Sequence, residues 1–64
     1  MTDRELLVAF VEERGPQPIM NMCRQVWRGT NYVRAIIDEC DELVIVTRTD
    51  CVLDWMVDLK PRRH

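Results

Sequence analysis

The chain contains no serine, only two glycines, and a single histidine, His64, at its last position. These absences remove most catalytic machinery. No Ser–His pair can be assembled, no glycine-rich loop is there to cradle a phosphate, and four metal ligands at zinc spacing are missing. An enzyme is therefore not expected, nor a cofactor or a small-molecule substrate. Long apolar runs are lacking too: the longest uncharged stretch, Gly15 to Cys23, is nine residues with two prolines, so no membrane span is expected. No signal-peptide pattern opens the chain, which points to a cytoplasmic protein without a membrane partner.

Three cysteines, Cys23, Cys40 and Cys51, make an odd count without C-x-x-C spacing. Each sits in an apolar pattern, so three reduced, core-packing thiols are expected rather than a disulfide framework. Sixty-four residues allow one domain, and a chain of this size buries only about 60% of the surface its unfolded form exposes. At 47% hydrophobic and 31% charged residues the composition is that of a folded domain, not of a disordered tail.

The net charge of −2 conceals an uneven distribution. Residues 1–13 carry −3. Residues 14–37 contain Arg14, Arg24, Arg28 and Arg34 and no acid, a net of +4. Residues 38–58 set seven acids against Arg48 alone, a net of −6, and Lys60, Arg62 and Arg63 add +3. The middle of the chain is a basic block, and its function depends on what it folds into.

Thr2-Asp3-Arg4-Glu5 has capping-box spacing. Leu6, Leu7, Phe10 and Val11 then form an apolar stripe, and Gly15-Pro16 stops it, which predicts a helix over residues 3–14. Pro18 suits the first position of a second helix, whose apolar stripe is Ile19, Met22, Cys23 and Val26. Gly29 is free to take a positive φ in the tight turn that follows, and Thr30 can cap the next helix. Val33, Ile36, Ile37 and Cys40 predict a third helix from about Asn31 to Glu42. Leu43 to Arg48 is β-branched and reads as a strand. Thr49-Asp50 offers a turn. Val52 to Leu59 alternates, with Leu53, Trp55, Val57 and Leu59 on one face, and reads as a half-buried second strand. Residues 60–64 form a basic tail after a domain spanning 1–59.

Helix, helix, tight turn, helix and hairpin, in that order, resemble the winged helix-turn-helix family. With position 1 of the family's twenty-residue unit at Ile19, the apolar positions 4, 8, 15 and 18 fall on Met22, Val26, Val33 and Ile36, and the small position 5 falls on Cys23. Position 9, usually glycine in the family, is Trp27, and a glycine arrives two residues later at Gly29. The resemblance implies an α+β winged helix-turn-helix fold, three helices followed by a two-stranded β-hairpin wing. It also implies a double-stranded DNA-binding transcriptional regulator of a prokaryotic or viral kind. Its third helix would enter the major groove with Thr30, Asn31 and Arg34 against base edges. Arg24 and Arg28 would reach phosphates, and Thr47, Arg48 and Thr49 at the hairpin tip would touch backbone or minor groove. Asp38, one turn beyond Arg34, could instead pair with it.

Winged domains also serve as protein-interaction modules that ignore DNA. Met20 lies beside the core face of the second helix together with Trp27, while Tyr32 and Met56 fall off the main apolar faces. Such residues either complete a small core or build an interface. A homodimer formed there would double the phosphate contacts and read a palindromic site.

Overall fold

The computed structural model describes residues 1–61; Arg62, Arg63 and His64 of the basic tail lie outside the described residues. The order of elements is α1 (Asp3–Arg14), β1 (Gln17–Pro18), α2 (Ile19–Val26), α3 (Thr30–Glu39), β2 (Leu43–Thr47), a 3-10 turn (Val52–Asp54) and β3 (Met56–Leu59). The three strands form one antiparallel sheet in the order β1-β3-β2. The chain is thus α+β, with three helices and a small sheet in a winged-helix-like arrangement.

Helix α1 starts where the Thr2 spacing places it. The Glu5 amide donates to Thr2 Oγ1 at 3.2 Å, and the Thr2 hydroxyl donates in turn to Glu5 Oε1 at 3.0 Å, so the carboxylate engages the capping hydroxyl instead of the backbone amide of a full capping box. Gly15, at φ 82, ends the helix in the conformation only glycine adopts without penalty. The buried face is Leu7, Val8 and Val11, while Leu6 and Phe10 are half-buried, so the stripe is rotated by one residue from its expected position.

The two-residue strand β1 was not expected. Gln17 pairs with Val57 and Pro18 with Met56, which draws Pro18 out of the helix: it is extended, at ψ 150, and stands before α2 as its cap residue, not within its first turn. Proline suits this edge because it has no N–H to contribute. The Ile19 amide then donates to the Trp55 carbonyl at 2.9 Å, tying the start of α2 to the residue preceding β3.

The turn between α2 and α3 corrects a second expectation. Gly29 has an ordinary φ of −76 and is the cap position of α3, with no side-chain cap bond, while Thr30 is already helical. The left-handed residue is Trp27, at φ 56 and ψ 42. Its amide and that of Arg28 both donate to the Cys23 carbonyl, which is the closure a glycine normally provides at a helix C-terminus. A residue with a Cβ in this conformation costs roughly 1–2 kcal/mol.

Helix α3 ends at Glu39, three residues short of the expected Glu42, with Cys40 extended. Asp38, Glu39, Asp41 and Glu42 crowd its C-terminus, where the helix dipole disfavours negative charge. Glu42 stands just before β2: its carbonyl accepts from the Lys60 amide at 2.9 Å, and its carboxylate pairs with Arg4 at 3.3 Å.

The second strand is shorter than its alternation predicts. The Asp54 and Trp55 amides are satisfied locally, by the carbonyls of Cys51 and Val52, and a backbone so satisfied does not enter a ladder. Leu53 and Leu59, expected on the buried face, are exposed. A bulge in β2 between Ile45 and Thr47 leaves Val46 out of register with β3 and bends the hairpin tip.

The core is Leu7, Val8, Val11, Ile19, Met22, Val33, Ile37, Cys40, Leu43 and Val57. Every element except the 3-10 turn and β1 contributes to it. Of the three cysteines only Cys40 is buried; Cys23 is half-buried and Cys51 is exposed beside the 3-10 turn, so the expectation of three core-packing thiols fails at Cys51. All three are free.

Candidate nucleic-acid interface

The basic block of the sequence runs from the end of α1 through α2 and the turn into α3, and Arg14, Arg28 and Arg34, though not Arg24, lie over aromatic rings. Arg28, in the turn, lies with Cζ 4.7 Å from the centroid of Tyr32, one turn into α3. Tyr32 is anchored in its turn to α1, donating a hydrogen bond from its hydroxyl to Asp3 Oδ2 at 2.6 Å. That bond pushes the Tyr32 phenol above its ordinary pKa, with partial burial and the charge of Asp3 adding and Arg28 opposing.

Trp55 organises the other half of the site. Arg34 of α3 places Cζ 4.9 Å from its ring centroid, and Arg48, just beyond β2, places Cζ at 4.8 Å. The indole N–H donates to the Thr49 carbonyl at 2.7 Å, and the Thr49 hydroxyl donates to the Cys51 carbonyl at 2.9 Å. One ring therefore fastens the third helix to the hairpin tip. Both guanidinium carbons lie within 5 Å of the same point, so they are at most about 10 Å apart, where two like charges repel by roughly 0.4–1.7 kcal/mol. The attraction of each cation to the ring, about 0.5–1 kcal/mol at exposed sites, offsets this. Arg34 Nε is covered and has no hydrogen-bond partner.

The one ion pair among the described residues joins Arg4 to Glu42, so Asp38 does not pair with Arg34, and none of Arg24, Arg28, Arg34 and Arg48 is ion-paired. The Asp3 carboxylate lies on the hydroxyl of Tyr32, the ring that Arg28 faces.

The remaining expected residues fall as follows. Asn31 is exposed on the first turn of α3, and Thr30 beside it is half-buried. Thr47 closes β2, and Thr47, Arg48 and Thr49 are all exposed around the hairpin tip. Arg24 is exposed on the last turn of α2 but faces a different quarter, an open groove of about 550 Å³ lined by Phe10, Arg14, Gln17, Asn21, Arg24 and Gln25. That groove contains no carboxylate. Of the residues expected at an interface, Trp27 is 88% exposed, Met20 and Tyr32 are exposed to well under half, and Met56 is half-buried in the central strand β3.

The contacts of two rings are not legible in the sequence, although Tyr32 is among the expected interface residues. Trp55 falls on the apolar side of an apparent strand and so reads as core. Tyr32 lies off the apolar stripe, and nothing local indicates that it seats Arg28; the four-residue spacing between them is the one available signal. Comparison with protein-family models, with curated proteins and with solved structures found no match.

Proposed function

We propose that the protein is a winged helix-turn-helix domain that binds double-stranded DNA and serves transcriptional regulation, with α3 in the major groove and the β2–β3 hairpin as its wing. The carrying observation is the clamp on Trp55, which presents Arg34 from the third helix and Arg48 from the hairpin together, neither paired with an acid. In this reading Asn31 and Arg34 face base edges, the former suited to adenine and the latter to guanine. Arg28, Arg48, Thr47 and Thr49 hold phosphates and set the register. The acids of residues 38–42 lie at and just beyond the C-terminal end of α3 and would stand away from the groove.

Titration of a random duplex by fluorescence anisotropy tests the proposal. With three arginines on phosphates and bases, log Kobs should fall against log salt with a slope of about −2 to −3. Arg48→Ala should reduce that slope by about 1 and weaken all sequences alike, whereas Arg34→Ala should also relax base preference. Absence of binding at roughly 50 mM salt, where phosphate contacts are strong, overturns it.

A further inference from the structure

Trp27 is doubly anomalous. It occupies the left-handed position that closes α2, where glycine is favoured and a side chain is strained. It is also the most exposed of the Phe, Tyr and Trp side chains, at 88%. A tryptophan in a strained backbone is ordinarily compensated by burial, and here the indole has almost none. Gly29, two residues on, has an ordinary φ, so the chain possesses a glycine and does not use it at the position that needs one.

The surroundings indicate what covers the ring. Arg24 and Arg28 flank Trp27 on the last turn of α2 and in the turn, both exposed, and no acid occurs between Glu13 and Asp38. Only Arg28 and Gly29 separate Trp27 from Thr30, so its backbone lies within about 11 Å of the first residue of α3. When the N-terminus of α3 enters a groove, the turn must reach the adjoining strand. Exposed arginines on either side of one exposed aromatic in the chain suit a polyanion that also offers apolar surface, and the deoxyribose edges of a duplex supply that beside their phosphates.

We infer that Trp27 is a DNA-contacting residue that packs against the sugar–phosphate backbone next to the helix-turn-helix, with Arg28 on the neighbouring phosphate. This rests on the DNA-binding reading above. The indole replaces glycine at a cost in fold stability and returns it as affinity.

Trp27→Gly tests this because its two effects have opposite signs. Glycine relieves the left-handed strain, so the urea midpoint of the variant should equal or exceed that of the wild type. Binding to a random duplex should weaken about fivefold or more, as on removal of an aromatic anchor, while Trp27→Phe should retain most of the affinity. Arg34→Ala, measured in parallel, separates the two ideas. If the wild type binds, Arg34→Ala weakens it and Trp27→Gly binds as wild type, the role of Trp27 is overturned and the DNA reading survives. If the wild type does not bind at all, both fall. Sedimentation without DNA completes the test: self-association that Trp27→Gly abolishes would assign the ring to a second copy of the chain and overturn the inference.

Discussion

Replacing Trp55 by leucine should loosen the third helix and the hairpin from each other, and the structure sets the size of the effect. The substitution removes two cation–π contacts, at 4.9 and 4.8 Å, worth about 0.5–1 kcal/mol each at this exposure. It also removes the indole N–H bond to the Thr49 carbonyl, worth about 0.5–1.5 kcal/mol net. The total is about 1.5–3.5 kcal/mol. A domain of 64 residues has about 3–10 kcal/mol in all, so the urea midpoint should fall by roughly a sixth or more. The ring's hold on each arginine is isolated by two double-mutant cycles, Trp55→Leu with Arg34→Ala and Trp55→Leu with Arg48→Ala. Each should return a coupling of about 0.5–1 kcal/mol that persists in high salt better than a surface ion pair would. Couplings below about 0.3 kcal/mol in both cycles, the usual size of non-additivity between independent sites, would show that the two arginines do not depend on the ring and refute the clamp.

Two further outcomes follow from named groups. The Tyr32 phenol is raised chiefly by its hydrogen bond to Asp3; a folded pKa above the unfolded one means a stabilisation that is complete below about pH 10 and lost as pH rises through the folded value. Unfolding midpoints of the wild type should therefore decline more steeply than those of Tyr32→Phe above that pH; the half-buried Cys23 thiol, raised by burial, adds a decline common to both, and parallel curves would exclude the Tyr32–Asp3 link. Thiol labelling of the native protein should modify Cys51 first, Cys23 more slowly and Cys40 only on unfolding, in the order of their exposure. Labelling of Cys40 at the rate of Cys51 would contradict its place in the core.

Local chemistry was the legible part. Thr2 and Glu5 mark the start of α1, Gly15 its end, and the four-residue apolar spacings locate α2 and α3, because each signal and its structural consequence lie within one helical turn. What could not be read depends on partners distant in sequence. Pro18 looks like a helix opener until Met56 is placed beside it. Leu53 and Trp55 look like alternate residues of a strand until Thr49 is found holding the indole. The turn shows the same limit at closer range: glycine at position 29 suggests the left-handed residue by type, but the backbone requirement falls at the end of α2, where Trp27 stands. The arginines of the candidate site were all named from the sequence, and Tyr32 as an interface residue, whereas the pairing of each arginine with its ring was not, since Arg34 and Trp55 are joined only by the folded chain.

The short strand β1 governs the order in which the protein can come into being. All three helices are encoded before residue 40, yet α2 begins from β1, whose partner is β3, and its first amide bonds to the carbonyl of Trp55. During synthesis the helices therefore emerge early and wait, with the angle of α2 unset, until residues 55–59 arrive to close the sheet over them. A chain cut off after Arg48 would retain α2, the turn, α3 and both Arg34 and Arg48, and still lack the strand and the ring that orient them. Such contacts between distant parts of the chain are late in folding because loop closure must precede their reward. The last strand is accordingly the step at which a collection of short helices acquires a defined surface.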